Sequence, residues 1–171
     1  MPYTKLIRQA AEHAIKYGEI MPPPDPIPSE MLHQQACYIT ILENPGKRYR
    51  NMYGSVLPRQ RNLALEMIFN TTTAIFQAPG SQIRKADISR LTYSIMLIGA
   101  LQRVSDKIHL DPQNYGLYLT SDQGKAALIL PGRVGIETPD DQIATALREA
   151  GIRPRDEATT MYRFLVEFYS A

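Results

Sequence analysis

Lys47, Arg48, Arg50, Arg59 and Arg61 fall within fifteen residues, and no acid occurs between Glu43 and Glu66. Tyr49 and Tyr53 interleave with these cations, and Gly54-Ser55 follows at once. A guanidinium grips a carboxylate or phosphate through two parallel hydrogen bonds, and a glycine beside it lets a ligand come close to the backbone. Arg50, Asn51, Met52, Tyr53, Gly54 and Ser55 are therefore the candidate ligand-binding residues, centred on Arg50, Tyr53 and Gly54. The pattern carries three readings. One is a pocket for a small anion or an acidic protein partner. A second, the weakest, is a nucleic-acid footprint with bases stacked on tyrosine. The third is a solvated hairpin edge whose positive charge discourages aggregation.

Little else in the chain has the residue types for catalysis. Cys37 lies in an apolar run beside Tyr38 and Ile39 with no basic neighbour, so it reads as a buried, inert thiol. His13, His33 and His109 are far apart in sequence, and neither a HExxH nor a CxxC spacing occurs, so no metal ligand set is identified. Ser55 follows a glycine but lacks the Gly-x-Ser-x-Gly elbow of a nucleophilic serine. Asp140 and Asp141 are adjacent carboxylates that a helix start explains better than acid–base chemistry. Asp111 and Asp122 read as turn residues. No catalytic residue and no cofactor follows from these motifs, and the reading leans against an enzyme. Its rival is an enzyme of unidentified chemistry with its site around Arg50 and Gly54.

The elements that must hold these residues follow from pattern. At 171 residues, 44% hydrophobic and 21% charged, the chain can bury a core without staples. A net charge of +2 is too small to imply nucleic acid or membrane binding. One cysteine allows no intramolecular disulfide, which suits a reducing cytoplasm. The first eighteen residues carry charges throughout and do not read as a signal peptide, and the longest apolar run, Ile95 to Leu101, is too short to span a bilayer.

Residues 3–17 place Leu6, Ile7, Ala10, Ala14 and Ile15 on one helical stripe, with Gly18 as the stop. Residues 19–29 hold five prolines and read as an extended connector. Ala36 to Leu42 is a strand, Asn44-Pro45-Gly46-Lys47 a turn, and Arg48 to Val56 a second strand, so the basic run sits on a hairpin. Asn62 to Phe76 is a helix despite Thr71-Thr72-Thr73, and Ala78-Pro79-Gly80-Ser81 breaks it. Leu91 to Val104 reads as one long strand with a bulge at Gly99. Leu117 to Thr120 and Ala126 to Leu130 form a hairpin. Thr138-Pro139-Asp140-Asp141 starts a helix that Gly151 closes. Tyr162, Phe164, Val166 and Phe168 alternate as a final strand with one wet face. Hairpin-linked strands with helices between them predict an α+β fold with a mainly antiparallel sheet. No glycine-rich phosphate loop follows a strand, so a Rossmann or P-loop reading fails.

Tyr49-Arg50-Asn51-Met52-Tyr53-Gly54-Ser55 resembles the Leu-Arg-Gly-Cys-Ile-Gly-Ser motif of the AMMECR domain family, with the arginine, last glycine and serine kept. Three further segments are similar in order and spacing: Asp111 to Leu117, Gly124 to Pro131, and Leu147 to Ile152 with Tyr162-Arg163-Phe164. The resemblance runs from about Leu6 to Tyr169. It implies a single domain over residues 1–171 in two α/β parts with a largely antiparallel sheet. The family's cysteine is Met52 here, and the cysteine of its closing helix is Leu147. If the motif works through its cysteine, this chain is inactive or altered. The resemblance thus implies a non-catalytic module binding a small anion or a protein partner in the cytoplasm.

Overall fold

The computed structural model describes residues 2–79 and 82–170, which divide into two compact units. The first comprises Met1–Ile98 and Glu167–Ala171, the second Gly99–Val166. The fold is α+β with two antiparallel sheets of four strands each.

In the first unit, β1 (Ala36–Glu43) is central, with β2 (Arg48–Gly54) on one side and β3 (Leu91–Ile98) on the other, and β8 (Val166–Ser170) continues the sheet beyond β3. β1 pairs antiparallel with β2, as the hairpin expected from sequence, and antiparallel with β3 as well. Alternation along β1 buries Cys37, Ile39, Ile41 and Glu43 on one face. Helices α1 (Pro2–Tyr17) and α2 (Leu63–Phe76) pack there, closing a core with Leu6, Ile7, Ala10, Met67 and Ile68. The stripe expected on α1 is the buried one, apart from half-buried Ile15. Asn62 caps α2, its side chain accepting from the Leu65 N–H at 3.0 Å. Inside α2, Thr71 and Thr73 donate their hydroxyls to the carbonyls of Met67 and Phe69, so their polar atoms are satisfied within the helix. The break expected at Ala78 to Ser81 falls partly on Gly80 and Ser81, outside the described residues. The proline-rich segment carries no helix or strand until a short 3-10 turn at Ser29–Met31, and Met21 and Ile27 pack against the core.

The second unit has strand order β4-β7-β5-β6, built from β4 (Gln102–Val104), β5 (Gly116–Ser121), β6 (Ala126–Ile129) and β7 (Thr159–Phe164). Helix α3 (Pro139–Ala150) lies on β5 and β6, its Ala146 packed in one core with Leu117, Leu119 and Ile129. Its start is the one read from sequence: Thr138 Oγ1 accepts from the Asp141 N–H while Asp141 accepts from the Thr138 N–H. Gly151 closes it at φ 64°.

Two strands read as single are each divided. Leu91 to Val104 is β3 and β4, which belong to different sheets, and the expected bulge residue Gly99 lies at the break. Its N–H donates to the Leu165 carbonyl at 2.8 Å, and a Cβ there would stand 3.0 Å from that oxygen. The final strand is likewise split at Leu165 into β7 and β8, and Phe168 is exposed rather than buried with Phe164.

Candidate functional site

The motif strand β2 is irregular where it matters. Ile41 pairs with Asn51 and Leu42 with Tyr49, so Arg50 is an extra residue with no partner across the ladder. Such a bulge re-aims side chains, and here two successive residues, Arg50 and Asn51, are both buried. Asn51 donates its Nδ2 to the Ala74 carbonyl at 2.9 Å, tying β2 to α2. Met52 is exposed. The Tyr53 ring meets Phe69 edge-on at 6.4 Å, and its hydroxyl accepts from Arg59 Nη1 at 3.0 Å.

Arg50 was expected to face a ligand. Instead it is 7% exposed, and its Nη1 donates to Glu43 Oε2 at 2.5 Å. Gly54 was expected to leave room beside the backbone. That room is filled: a Cβ would stand 2.3 Å from the Cys37 carbonyl oxygen and 2.7 Å from Tyr38 Cα. Ser55 Oγ donates to the Leu57 carbonyl at 2.6 Å. The inward-facing motif residues are thus committed to the frame.

Two acids that sequence reasoning passed over organise the region. Glu43, buried at the end of β1, receives Arg48 and Arg50 on Oε2, both at 2.5 Å, and Arg90 on Oε1 at 3.1 Å. Hydrogen bonds from Arg48 and then Arg50 hold its carboxyl below the ordinary range. Arg90 also contacts Asp87 at 2.7 Å, and Asp87 accepts from the Arg84 N–H, which lowers that carboxyl too. Glu66, fully buried on α2, accepts the backbone N–H groups of Arg59 and Gln60 on Oε2, both at 2.8 Å. Its Oε1 lies 3.3 Å from Asn70 Nδ2, which also donates to the Cys37 carbonyl at 3.0 Å. The signal was present: Glu43 and Glu66 are the acids that bracket the basic run.

Cys37 is fully buried, and burial pushes its thiol up to about 12. No group of three or more metal-ligating side chains occurs among the described residues. Asp140 is exposed and paired with Lys107 at 2.8 Å. A separate groove of ≈ 450 Å³ runs between α1 and the proline-rich segment, past Glu12, His13, Tyr17 and Pro24.

Two antiparallel four-stranded sheets with a bulged arginine strand define an α+β class to which comparison with known proteins gives a family. The AMMECR1 family model matches residues 4–169, and the chain belongs to that family. A protein of Thermotoga maritima is 28% identical over 169 residues, covering 98% of this chain and 97% of the relative. Protein CA_C1420 of Clostridium acetobutylicum is 27% identical over 167 residues, and the match spans 96% of this chain but only 35% of that protein. The crystal structure of the uncharacterized protein PH0010 from Pyrococcus horikoshii has the same fold, with a TM-score of 0.83 at 19% identity, covering 98% of this chain and 89% of that one.

Proposed function

We propose that this chain is a non-catalytic module that binds a protein partner along β2 and the loop after it. One observation carries the reading: the polar groups of the motif that face inward are engaged within the fold, while large apolar and basic side chains of the same segment face out. Tyr49 and Leu57 are each 57% exposed and Met52 is 37% exposed. No described carboxylate pairs with Lys47, Arg59 or Arg61. Apolar anchors in a polar, charged surround are the composition of a docking surface. β2 is also an edge strand of its sheet, and edges accept extended partners. The small-anion reading centred on Arg50 is the less favoured, because Glu43 already occupies that guanidinium. A single buried thiol and the absence of a membrane-spanning helix among the described residues fit a cytoplasmic setting.

The test is site-specific photo-crosslinking of the full chain in its native cells. Crosslinkers at positions 52 and 57 should trap the same discrete partner. Position 134, 98% exposed in the second unit, serves as the control. Identical adducts from all three positions would refute the reading.

A further inference from the structure

The turn between β1 and β2 and the segment leading into β3 meet at one end of the first sheet. Asn44 N–H donates to the Arg90 carbonyl at 2.8 Å, and Glu43 pairs with Leu91 across the ladder. This brings Arg48 and Arg90, about forty positions apart, onto the one Glu43 carboxylate, with Lys47 next to Arg48 in the chain and Arg84 and Lys85 in the turn whose Asp87 binds Arg90. The three lysine and arginine side chains outside the Glu43–Asp87 network, Lys47, Arg84 and Lys85, are all exposed. At the centre, Arg48 and Arg90 share the Glu43 carboxylate while remaining 67% and 51% exposed.

We propose that this guanidinium pair is a clamp for a short carboxylate-rich segment of a protein partner. The buried carboxylate fixes the two side chains without offering itself to solvent, since Glu43 and Asp87 are 8% and 7% exposed. Each guanidinium has five N–H donors, and in both Arg48 and Arg90 only Nη2 is engaged with a carboxylate. Arg48, with one carboxylate on Nη2, keeps an edge that can take a second carboxylate bidentately, whereas Arg90, whose Nη2 already meets Glu43 and Asp87, keeps its Nε and Nη1 donors for single hydrogen bonds. Holding the side chains beforehand removes part of the ordering cost of binding.

Charge distribution selects the ligand class. Six cations (Lys47, Arg48, Arg50, Arg84, Lys85 and Arg90) against two carboxylates leave four positive charges in excess. The whole chain carries only +2, so the rest of the molecule carries two negative charges in excess. The positive excess is thus local to this end of the sheet, and a short acidic segment is the ligand that such a confined patch neutralises. A single phosphate carries too little charge to balance an excess of four.

The inference rests on the partner-binding reading above but fails separately from it. The probe is a fluorescein-labelled decaglutamate peptide titrated onto the full chain, with fluorescence anisotropy as readout. Binding should weaken steeply with salt. Lys85→Glu, which touches none of the ion pairs, should weaken it at least tenfold, and Arg90→Gln should do the same. Arg153→Glu, an exposed cation of the second unit, should leave it unchanged. Millimolar inorganic phosphate should not displace the peptide. No peptide binding, equal binding by wild type and Lys85→Glu, displacement by phosphate, or tighter binding of a single-stranded oligonucleotide of the same charge would each overturn the clamp. Crosslinking at position 52 without peptide binding would sink the clamp alone, and peptide binding without crosslinking would sink the docking strand alone.

Discussion

Gly54→Ala tests whether the motif glycine is kept for packing. The added Cβ would lie 2.3 Å from the Cys37 carbonyl oxygen, 2.6 Å from Tyr38 Cγ and 2.7 Å from Tyr38 Cα. Carbon and carbonyl oxygen ordinarily approach to about 3.3 Å, so the strands must part by roughly an ångström. Two of the three obstacles are backbone atoms of β1, a strand held on both sides by β2 and β3. Overpacking costs about 1–3 kcal/mol, and rigid backbone places this site at the upper end. Relief of glycine's extra unfolding entropy returns about 0.5–1 kcal/mol, leaving a net loss of roughly 2 kcal/mol. Cys37 reports on this directly, since it is the sole thiol and lies against the clash. When opening is fast relative to labelling, its alkylation rate tracks the open population, and 2 kcal/mol raises that population about 30-fold. Wild type should label only through rare opening, and Gly54→Ala should label about 30-fold faster. Val134→Ala, at a position 98% exposed in the second unit, should leave the rate unchanged. Equal rates for wild type and Gly54→Ala would refute the packing account and return Gly54 to the role of ligand cradle. Rapid labelling of wild type would refute the burial of Cys37.

Glu66→Gln should lower the urea midpoint, because the amide replaces one accepting oxygen with an NH2 that must face either the N–H groups of Arg59 and Gln60 or the Asn70 NH2; the loss is about 2 kcal/mol. Stability should fall with alkali. The folded thiol of Cys37 sits near 12, above its unfolded value of about 8.5, so its contribution is complete below that unfolded value and is lost as pH rises toward 12. Burial also raises Tyr93, which adds in the same direction. By pH 11 the urea midpoint should report a loss on the order of 3 kcal/mol, and Cys37→Ala should flatten the profile; an unchanged profile would contradict the burial account.

What could be read from the sequence was local. The Thr138 capping box needs only four consecutive residues, and the hairpin turn at Ser121 to Lys125 needs only a glycine suited to φ +78° and flanking apolar strands. The division at Gly99 was hidden because Ile95 to Leu101 is apolar throughout, and an apolar run looks the same whether a strand continues or hands over to another sheet. Leu165 hides the second break in the same way, since the alternation of Tyr162, Phe164, Val166 and Phe168 passes through it unbroken. The Glu43 network was legible only in part, through the acids that bracket the basic run. Its third arginine arrives through the β1–β3 register, forty-seven residues along the chain, and no local spacing encodes that pairing.

The pattern of retention in the motif has a physical reading of its own. Arg50 and Ser55 are buried and hydrogen-bonded, and Gly54 is hemmed in by β1. These are the positions where the chain agrees with the motif it resembles. The two it changes differ in kind. Asn51 is buried and gains a bond to the Ala74 carbonyl that glycine could not make. Met52 takes the place of the cysteine and is the most exposed residue between Arg50 and Ser55. A thiol there would meet solvent; a thioether offers neither a nucleophile nor a readily metallated sulfur, but it does supply a polarizable, adaptable apolar surface. Agreement with the motif therefore follows the residues that keep β2 bulged and anchored to β1 and α2. The chemistry that could act outward is what has been replaced, and its replacement suits contact with a partner better than reaction with a substrate.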